Sequence, residues 1–269
     1  YSGSVCVVTG AGSGIGRSLA LELGRQGAIV ELSDVDASRA DAVAAEVTGA
    51  GGTATAAQLD VTDPEAVEAY AERVFAGHGH VDLLCNNAGI GHAGGIVDTP
   101  LEDWQRVIDV NLYGVIHGLR AFVPRMVASG RPGTILNTAS VAGLVGSAHM
   151  APYSATKFAV VGISESLDLE LEEHGIRVSA LCPGFINTDI VRTATVRGEM
   201  AERHEGLQRF YATRGTSPDV VARQALAAAG RRTIIPSPRH QVLTAWLGKR
   251  YMPRLARAGT RRFEERLGR

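Results

Sequence analysis

The amino-acid sequence predicts an α/β fold, a single doubly wound parallel sheet of about seven strands with helices on both faces. Short apolar runs alternate with segments of helical periodicity along most of the chain, which is typical of βαβ units. The 269 residues are 45% hydrophobic, enough for a large core. Glycine-rich and polar segments follow the apolar runs, at the strand ends where such sheets bind ligands.

The first predicted strand and the turn after it indicate a dinucleotide site. Residues 4–9 form a β-branched run, and residues 17–26 have helical periodicity. The glycine-rich turn between them would bring a pyrophosphate close to the backbone and to the helix N-terminus. The turn residues expected to bind it are Gly10, Ser13, Gly14, Ile15 and Gly16.

Asp34 follows the second predicted strand, residues 28–33. A carboxylate there would bind both hydroxyls of an adenosine ribose, whereas the alternative is a helix N-cap or a turn aspartate. Neither Ser13 nor Val35 supplies a cation for a 2′-phosphate, and Arg17 lies beyond the turn on the helix. Because Asp34 would also repel that phosphate, the sequence favours NAD over NADP.

The rest of the chain continues the alternation. We expect further strands over 53–59, 81–85, 134–138, 177–181 and 233–235. The predicted helices cover 38–50, 64–75, 101–129, 152–174 and 218–229, and residues 91–99 form a glycine-rich loop. Asn111 falls in the middle of a helix, where asparagine usually faces solvent, and Ser140 follows the fifth strand.

Tyr153 and Lys157 lie four residues apart on one face of a predicted helix. The ammonium would favour the phenolate and lower the pKa of Tyr153 from its usual value. A phenol tuned in this way is a usable general acid or base. Taken alone, however, this spacing is common, and an ordinary surface pair is the simpler interpretation.

Together these motifs resemble those of the short-chain dehydrogenases/reductases, over residues 4 to about 190 with no large insertion. The resemblance implies a Rossmann-type fold and an active oxidoreductase, because no expected catalytic position departs from the family pattern. The matching segments are Thr9 to Gly16, Asp60-Val61, Asn86 to Gly89, Asn111, Ser140, Tyr153 with Lys157, and Pro183-Gly184 with Thr188.

The resemblance also implies roles at the reacting centre. Tyr153 would exchange a proton with the substrate oxygen while hydride moves to or from the nicotinamide, and Ser140 would hydrogen-bond the same oxygen. Lys157 would hold the nicotinamide ribose and lower the pKa of Tyr153. Asn111 would anchor a water that links Lys157 to solvent.

The same resemblance implies the remaining cofactor contacts. Asp60 and Val61 would meet the adenine, and Asn87 would support the cofactor ribose. Ile186 and Thr188 would hold the nicotinamide carboxamide. The cofactor-binding residues expected beyond the glycine turn are Asp34, Asp60, Val61, Asn87, Ala88, Gly89, Tyr153, Lys157, Pro183, Gly184, Ile186 and Thr188.

In this family the substrate lies against the loops after strands four, five and six, and here those loops are mostly apolar. We therefore expect a hydrophobic secondary alcohol or ketone as substrate. His149 would orient a polar group of the substrate or simply face solvent, and an amphipathic segment over about 189–213 suits a mobile lid. The substrate-binding candidates are Ser140, Val141, His149, Tyr153 and Phe185. Further pocket residues are His92, Leu144, Val145, Met150 and the segment 190–211.

The sequence predicts no metal site. His78 and His80 are close together in a predicted loop, without nearby cysteine or carboxylate partners. Cys6, Cys85 and Cys182 are expected to be buried thiols of a reducing compartment. No apolar run reaches the roughly 18 residues that span a bilayer, so we expect a soluble, cytoplasmic protein.

The net charge of −1 conceals a basic tail. Residues 223–269 contain twelve Lys and Arg against two Glu, whereas residues 1–222 contain 15 basic and 26 acidic residues. We expect one domain over 1–238 and a basic amphipathic extension over 239–269. This extension would pack on the lid or on a neighbouring subunit, or would contact anionic lipid; no nucleic-acid motif accompanies it.

The sequence thus predicts an NAD(H)-dependent oxidoreductase that interconverts a hydrophobic secondary alcohol and its ketone. One alternative is an NADPH-dependent ketone reductase, and another is a cofactor-sensing or lipid-surface binding module. A third is one domain of a longer fused enzyme, because the chain begins with Tyr1 rather than Met. The resemblance implies a homodimer or homotetramer built on the helices that carry Asn111 and Tyr153.

Overall fold

The computed structural model describes residues 1–259. Within them, the main strands are β1 Val5–Thr9, β2 Ile29–Asp34, β3 Thr53–Gln58, β4 Leu83–Asn86, β6 Gly133–Thr138, β7 Ile176–Pro183 and β9 Ile234–Ser237. They form one parallel sheet in the order β3-β2-β1-β4-β6-β7-β9. Two short strands, β5 His92–Ala93 and β8 Thr195–Val196, pair separately. The predicted doubly wound sheet is confirmed.

Helices cover both faces of this sheet. They are α1 Gly14–Arg25, α2 Ala37–Gly49, α3 Pro64–His78, α4 Leu101–Ile108, α5 Gly114–Ala128, α6 Ala151–Glu170, α7 Asp189–Arg192, α8 Glu199–Arg214, α9 Pro218–Ala228 and α10 Arg239–Tyr251. Residues of α3, α5 and α6 form the apolar core on one face, and residues of α1, α2 and α9 form the core on the other. The sheet is therefore buried on both sides, as its apolar strands predict.

The strand order reverses at β1, which is a parallel neighbour of both β2 and β4. The chain passes from β1 to β2 on one side and later from β4 to β6 on the other. Such a reversal opens a crevice at the carboxyl ends of the two central strands. The glycine turn follows β1 and Asn87 follows β4, so both lie at this crevice.

The helix predicted over residues 101–129 is interrupted. A π-helical turn, Asp109–Tyr113, joins α4 to α5 and contains Asn111. Its wider hydrogen bond runs from the Gly114 amide to the Asp109 carbonyl. Gly114 packs so closely against Val61 that a Cβ there would lie 2.7 Å from Val61 Cγ2. The sequence pattern predicts the helix but not the wider turn, which lies where Gly114 packs against Val61.

Helix α10 shares the core of the sheet domain. Val242 is fully buried, and Trp246 packs against the core cluster on the side of α5 and α6. Lys249 Nζ donates a hydrogen bond of 2.8 Å to the Leu144 carbonyl and lies 4.6 Å from the centre of the Phe158 ring. This part of the predicted extension therefore packs on its own chain. Residues 260–269 of that extension lie outside the described residues.

No helix within residues 1–259 is long and apolar enough to cross a membrane.

Candidate active site

One cavity of about 1230 Å³ runs along the carboxyl ends of the strands. Its walls are the turn after β1, the ends of β2, β4, β6 and β7, and the segment from α7 to α8. Every predicted cofactor and catalytic residue lines it except Gly16 and Asn111. The substrate-binding candidates Val141, His149 and Phe185 line it as well. Residues from most of the chain are therefore brought to one site.

The turn between β1 and α1 leaves backbone groups free for an anion. Gly10 and Gly14 have φ of +62° and +54°, and a Cβ on Gly10 would lie 2.6 Å from Ala88 Cα. Helix α1 begins at Gly14 with no acidic residue in its first turn and no side-chain cap from Ser13. These open N–H groups fit the pyrophosphate of a dinucleotide. Gly16 instead packs beneath the turn, where a Cβ would lie 2.1 Å from the Gly10 carbonyl oxygen.

Asp34 ends β2 with both carboxylate oxygens held by the backbone. Oδ2 accepts from the Gly12 amide at 2.9 Å, and Oδ1 accepts from the Asp36 amide at 3.0 Å. The helix cap is wrong for Asp34, because α2 is capped by Asp36, but the bond from the Asp36 amide is that of a turn aspartate. Each Asp34 oxygen keeps a lone pair that fits a ribose hydroxyl.

Two arginines near this end of the cavity have different surroundings. Arg17 forms an ion pair with Glu46, and both side chains are about two-fifths exposed. Arg39, which sequence reasoning missed, lines the cavity with its Nε 3.2 Å from the Asp36 carboxylate. Its Cβ lies 2.7 Å from the position that a Cβ on Gly12 would take. No local pattern signals this contact, because it depends on how α2 packs against the glycine turn.

Asn87 ties the glycine turn to a neighbouring strand. Its Nδ2 donates to the carbonyls of Thr9 and Gly10 at 3.0 and 3.2 Å. Its Oδ1 accepts from the Thr138 hydroxyl at 3.2 Å. The Asn87 side chain is therefore used to hold β1, β4 and β6 together, and its contact with a cofactor ribose stays a prediction.

Tyr153 and Lys157 are buried with Ser140 at the other end of the cavity. Burial raises the pKa of Tyr153, and a hydrogen bond with the Ser140 hydroxyl opposes this shift. Burial also lowers the pKa of Lys157 to about 8, and Lys157 Nζ donates to the Thr138 carbonyl at 2.8 Å. Nζ lies 5.7 Å from the centre of the Tyr153 ring. The sequence predicts a lowered pKa for Tyr153, and this prediction is wrong for the protein without a ligand. Burial raises the pKa by more than the hydrogen bond with Ser140 lowers it.

Asn111 is fully buried, so the solvent-facing interpretation is wrong. Its Oδ1 accepts from the Ile90 amide at 2.8 Å, and its Nδ2 donates to the Ile90 carbonyl at 2.9 Å. A Cβ on Gly89 would lie 3.1 Å from Asn111 Oδ1 and 3.6 Å from Lys157 Nζ. Asn111 thus fixes the loop after β4 beside Lys157, and its role toward a water stays a prediction.

Comparison with known proteins identifies the family of this chain. A family model described as short chain dehydrogenase matches residues 4–197. The chain belongs to the short-chain dehydrogenase family. The fold and the class of enzyme expected from the motifs, an oxidoreductase, are thereby confirmed.

Three similar proteins illustrate the range of this likeness. The chain is 40% identical over 268 residues to the probable oxidoreductase EphD of Mycobacterium tuberculosis. The matched region covers 97% of this chain but only 45% of EphD. It is 39% identical over 192 residues to the cyclohexanol dehydrogenase of Acinetobacter sp., covering 71% of this chain and 76% of that protein. A short-chain dehydrogenase/reductase from Burkholderia phymatum in complex with NAD has a TM-score of 0.87 and 33% identity, covering 95% of each chain. The chain thus spans less than half the length of EphD.

The part of the cavity where the sequence predicts the substrate is mostly apolar. Val141, Met150 and Phe185 line it, whereas the predicted pocket residue Leu144 lies in the core and does not. His149 adopts a φ of +56°, and its Nε2 lies 3.8 Å from the Glu199 carboxylate. Its side chain is 29% exposed, so it lies at the mouth between the loop before α6 and the first turn of α8.

The predicted lid, from α7 to α8, is tied to the loop after β4. Strand β8 pairs with β5, and Arg197 binds Asp103 of α4 through two hydrogen bonds of 2.7 and 3.1 Å. The Arg197 guanidinium holds the pKa of Asp103 below its usual value. The fully buried His92 places its Nε2 3.4 Å from the same carboxylate. Helix α8, Glu199–Arg214, has no fully buried residue, which suits a segment that opens and closes.

Three further residues line the cavity, and two of them, Gln241 and Ala245, were missed by sequence reasoning. Tyr211 comes from the last turn of α8, and Gln241 and Ala245 come from α10. Tyr211 ends the segment 190–211, which the sequence places at the substrate pocket, and it lines the cavity as expected. Nothing in the local sequence places α10 over the cavity, because its position depends on packing after the last strand.

His78 and His80 have carboxylate partners, contrary to the expectation from the sequence. His78 Nε2 lies 2.8 Å from Glu31 Oε1, and His80 Nε2 lies 3.3 Å from Asp82 Oδ2. Within residues 1–259, no group of three or more His, Cys, Asp or Glu could hold a metal ion. All three cysteines are buried and free, as predicted.

Proposed function

We propose that this short-chain dehydrogenase interconverts a hydrophobic secondary alcohol and its ketone, with NAD(H) as cofactor. The observation that carries the proposal is the single cavity that runs from the Asp34 carboxylate to the buried Tyr153 phenol. Beyond Tyr153 the cavity continues between apolar side chains such as Val141 and Phe185, which favours a hydrophobic substrate. A relative of this chain, the cyclohexanol dehydrogenase of Acinetobacter sp., supports the same substrate class.

In this proposal the chain supplies the proton transfer. When an alcohol is oxidised, its hydroxyl proton passes to the oxygen of Tyr153, and in reduction Tyr153 returns it to the carbonyl oxygen. Ser140 donates a hydrogen bond to the same substrate oxygen as charge develops there. The ammonium of Lys157 favours the ionised phenol. A bound nicotinamide would supply the carbon that accepts or gives the hydride.

The cofactor preference rests on the acid at the end of β2. The Gly12 and Asp36 amides fix the Asp34 carboxylate, which would accept hydrogen bonds from both ribose hydroxyls of NAD. A 2′-phosphate would meet this negative charge at close range. Arg17 cannot easily compensate, because Glu46 already neutralises it.

The test is hydride transfer measured with a panel of cyclic and aryl alcohols. Tyr153→Phe should abolish turnover while the dissociation constant for NAD⁺, measured by calorimetry, changes by less than about threefold. Tyr251→Phe is a matched control, because this tyrosine is 72% exposed and does not line the cavity. Full activity in Tyr153→Phe would show that the proton is transferred by another group.

One observation favours a second candidate, an NADPH-dependent ketone reductase. Arg39 lines the adenosine end of the cavity and could reach a 2′-phosphate if it left Asp36. Titration of the protein with NADH and NADPH decides between the two candidates. If NADPH bound more tightly than NADH, and if Arg39→Met removed this preference, the role proposed for Asp34 would be refuted.

We also propose that the protein forms a homo-oligomer through the surface of the two long helices α5 and α6. Phe158 on α6 and Tyr113, just before α5, are 38% and 47% exposed, and Leu169 is 77% exposed. Burial of these side chains against a second copy would remove apolar area from water. Light scattering of the full chain measures the oligomeric state, and a monomer at micromolar concentration would contradict this proposal.

A further inference from the structure

A tyrosine hydroxyl in the lid lies in the cavity without a protein partner. Tyr211, in the last turn of α8, lines the same cavity as Tyr153. In the part of the chain that the structure describes, its hydroxyl takes part in no hydrogen bond. Tyr211 is half-buried, so a ligand that filled the cavity would cover this hydroxyl and would have to offer it a new partner.

The ring that carries this hydroxyl is held in place. Phe185 and Phe210 contact it edge to face, with ring centres 5.5 and 6.0 Å from that of Tyr211. The Tyr211 carbonyl accepts from the Gly215 amide at 2.9 Å, and the next residue, Thr216, donates to the Phe185 carbonyl at 2.9 Å. The end of α8 is thus joined to the segment after β7, and the hydroxyl has a fixed position.

The electrostatic surroundings keep this hydroxyl protonated. Burial raises the pKa of Tyr211 well above its usual value, and the nearby Tyr153 raises it further. The effect of Tyr153 also indicates that the two phenols are close enough to interact. At any working pH Tyr211 can therefore both donate and accept a hydrogen bond.

The reacting oxygen of the substrate does not need Tyr211. Ser140 and Tyr153 already supply two hydrogen bonds, which use both lone pairs of a carbonyl oxygen. The neighbouring lid histidine is engaged elsewhere, since His204 Nε2 lies 2.7 Å from the Val191 carbonyl. A second oxygen on the substrate would therefore find the Tyr211 hydroxyl beside apolar neighbours such as Phe185.

We infer that Tyr211 binds a second oxygen of the substrate, so that the protein prefers a hydrophobic secondary alcohol carrying another hydroxyl or carbonyl group. The inference rests on the proposed function, because it refines the substrate of the same site. Its physical reason is that a bound substrate covers the phenol hydroxyl, and a substrate oxygen avoids the cost of leaving it unpaired in the complex. The same skeleton without that oxygen would leave Tyr211 unpaired in the complex.

The test compares cyclohexanol with the three positional cyclohexanediols in NAD⁺-linked oxidation. For the full chain, at least one diol should have a higher kcat/KM than cyclohexanol. Tyr211→Phe keeps the ring and its contacts but removes the hydroxyl, so kcat/KM for the preferred diol should fall about 2- to 12-fold. The value for cyclohexanol should stay within about twofold, and Tyr251→Phe, which alters an exposed phenol, should change neither.

The possible outcomes separate this inference from the proposed function. An equal loss for diol and cyclohexanol in Tyr211→Phe would mean that Tyr211 acts on the reacting oxygen or only packs, and the inference would be refuted. Preference of the full chain for cyclohexanol over every diol would refute it too, while leaving the proposed function intact. No NAD⁺-linked oxidation of any of these alcohols would overturn the proposed substrate class, and the inference with it.

Discussion

Replacement of Lys157 by methionine should make the protein inactive but not less stable at neutral pH. Burial lowers the pKa of Lys157 from 10.5 to about 8, which corresponds to about 3 kcal/mol against the charged form. At pH 7 the lysine is nevertheless charged in the folded state, so the wild type bears this cost. Methionine has a similar length and bears no charge, and it therefore avoids the cost.

A second effect opposes this gain. Lys157 Nζ donates to the Thr138 carbonyl at 2.8 Å, and methionine would leave that buried acceptor unpaired, at about 1–3 kcal/mol. The net expectation at pH 7 is a Lys157→Met variant that is as stable as the wild type or more stable by up to about 2 kcal/mol. The absolute difference is therefore less informative than its dependence on pH.

The sign of the pH dependence follows from the two pKa values of Lys157. Between about pH 8 and 10.5 the unfolded chain holds this proton and the folded chain does not, so the stability of the wild type rises with pH. The variant lacks the group and gains nothing from it. Urea unfolding of both proteins at pH 7 and 9.5 should show the wild type gaining about 2 kcal/mol relative to Lys157→Met. A stability difference that does not change over this range would refute the reasoning.

Three further predictions concern the sheet, the turn after β6 and the lid. The Asp168 carboxylate accepts a hydrogen bond from Arg177, and this and other donors lower its pKa to about 2. Asp168→Asn should therefore lower the free energy of unfolding by about 2 kcal/mol at pH 7. In urea unfolding, the difference in stability from the wild type should shrink as the pH falls from about 4 toward 2. Gly143→Ala should lower kcat at least about tenfold with little change in NAD⁺ binding, because its Cβ would lie 2.5 Å from the Lys157 carbonyl oxygen and displace the turn after Ser140. Arg197→Met should raise KM a few-fold in steady-state kinetics, because it releases the lid.

Matched variants serve as controls for two of these changes. Gly162→Ala introduces the same methyl group on α6, where nothing lies within 4 Å, and should leave kcat unchanged. Arg192→Met removes another lid arginine, one whose ion pair with Asp189 is exposed, and should leave KM unchanged. Equal effects in Arg192→Met and Arg197→Met would contradict the role given to the contact with Asp103. Unaltered kcat in Gly143→Ala would show that the turn tolerates displacement.

The features that sequence reasoning predicts well are those set by local spacing. Tyr153 and Lys157 share a helix face whatever the rest of the chain does, and the glycines after β1 need only their own turn. Asp34 was predictable because it ends a strand, and the end of a parallel strand has a known place in the sheet. In each case the decisive geometry lies within a few residues.

The features that it missed depend on contacts between distant segments. Asp103 and Arg197 are 94 residues apart, and only the pairing of β5 with β8 brings them together. Asn111 is a poor helix residue by propensity, yet the Ile90 backbone uses both ends of its side chain, 21 residues away. Tertiary packing overrides local preference at such places. The direction of the Tyr153 pKa was misjudged for a related reason, because burial cannot be judged from one helix.

Burial raises the pKa of Tyr153 and lowers that of Lys157. These opposite shifts should be visible in the pH dependence of catalysis. At pH 7 Tyr153 is protonated and Lys157 is charged, a state suited to giving a proton to a ketone. Above about pH 8 the pair has lost one proton, and the form in which Tyr153 is ionised while Lys157 stays charged can act as the base. We therefore expect kcat/KM for alcohol oxidation to rise through about pH 8 and that for ketone reduction to fall over the same range. Profiles without an inflection near this pH would show that the state of Lys157 does not govern proton transfer at Tyr153.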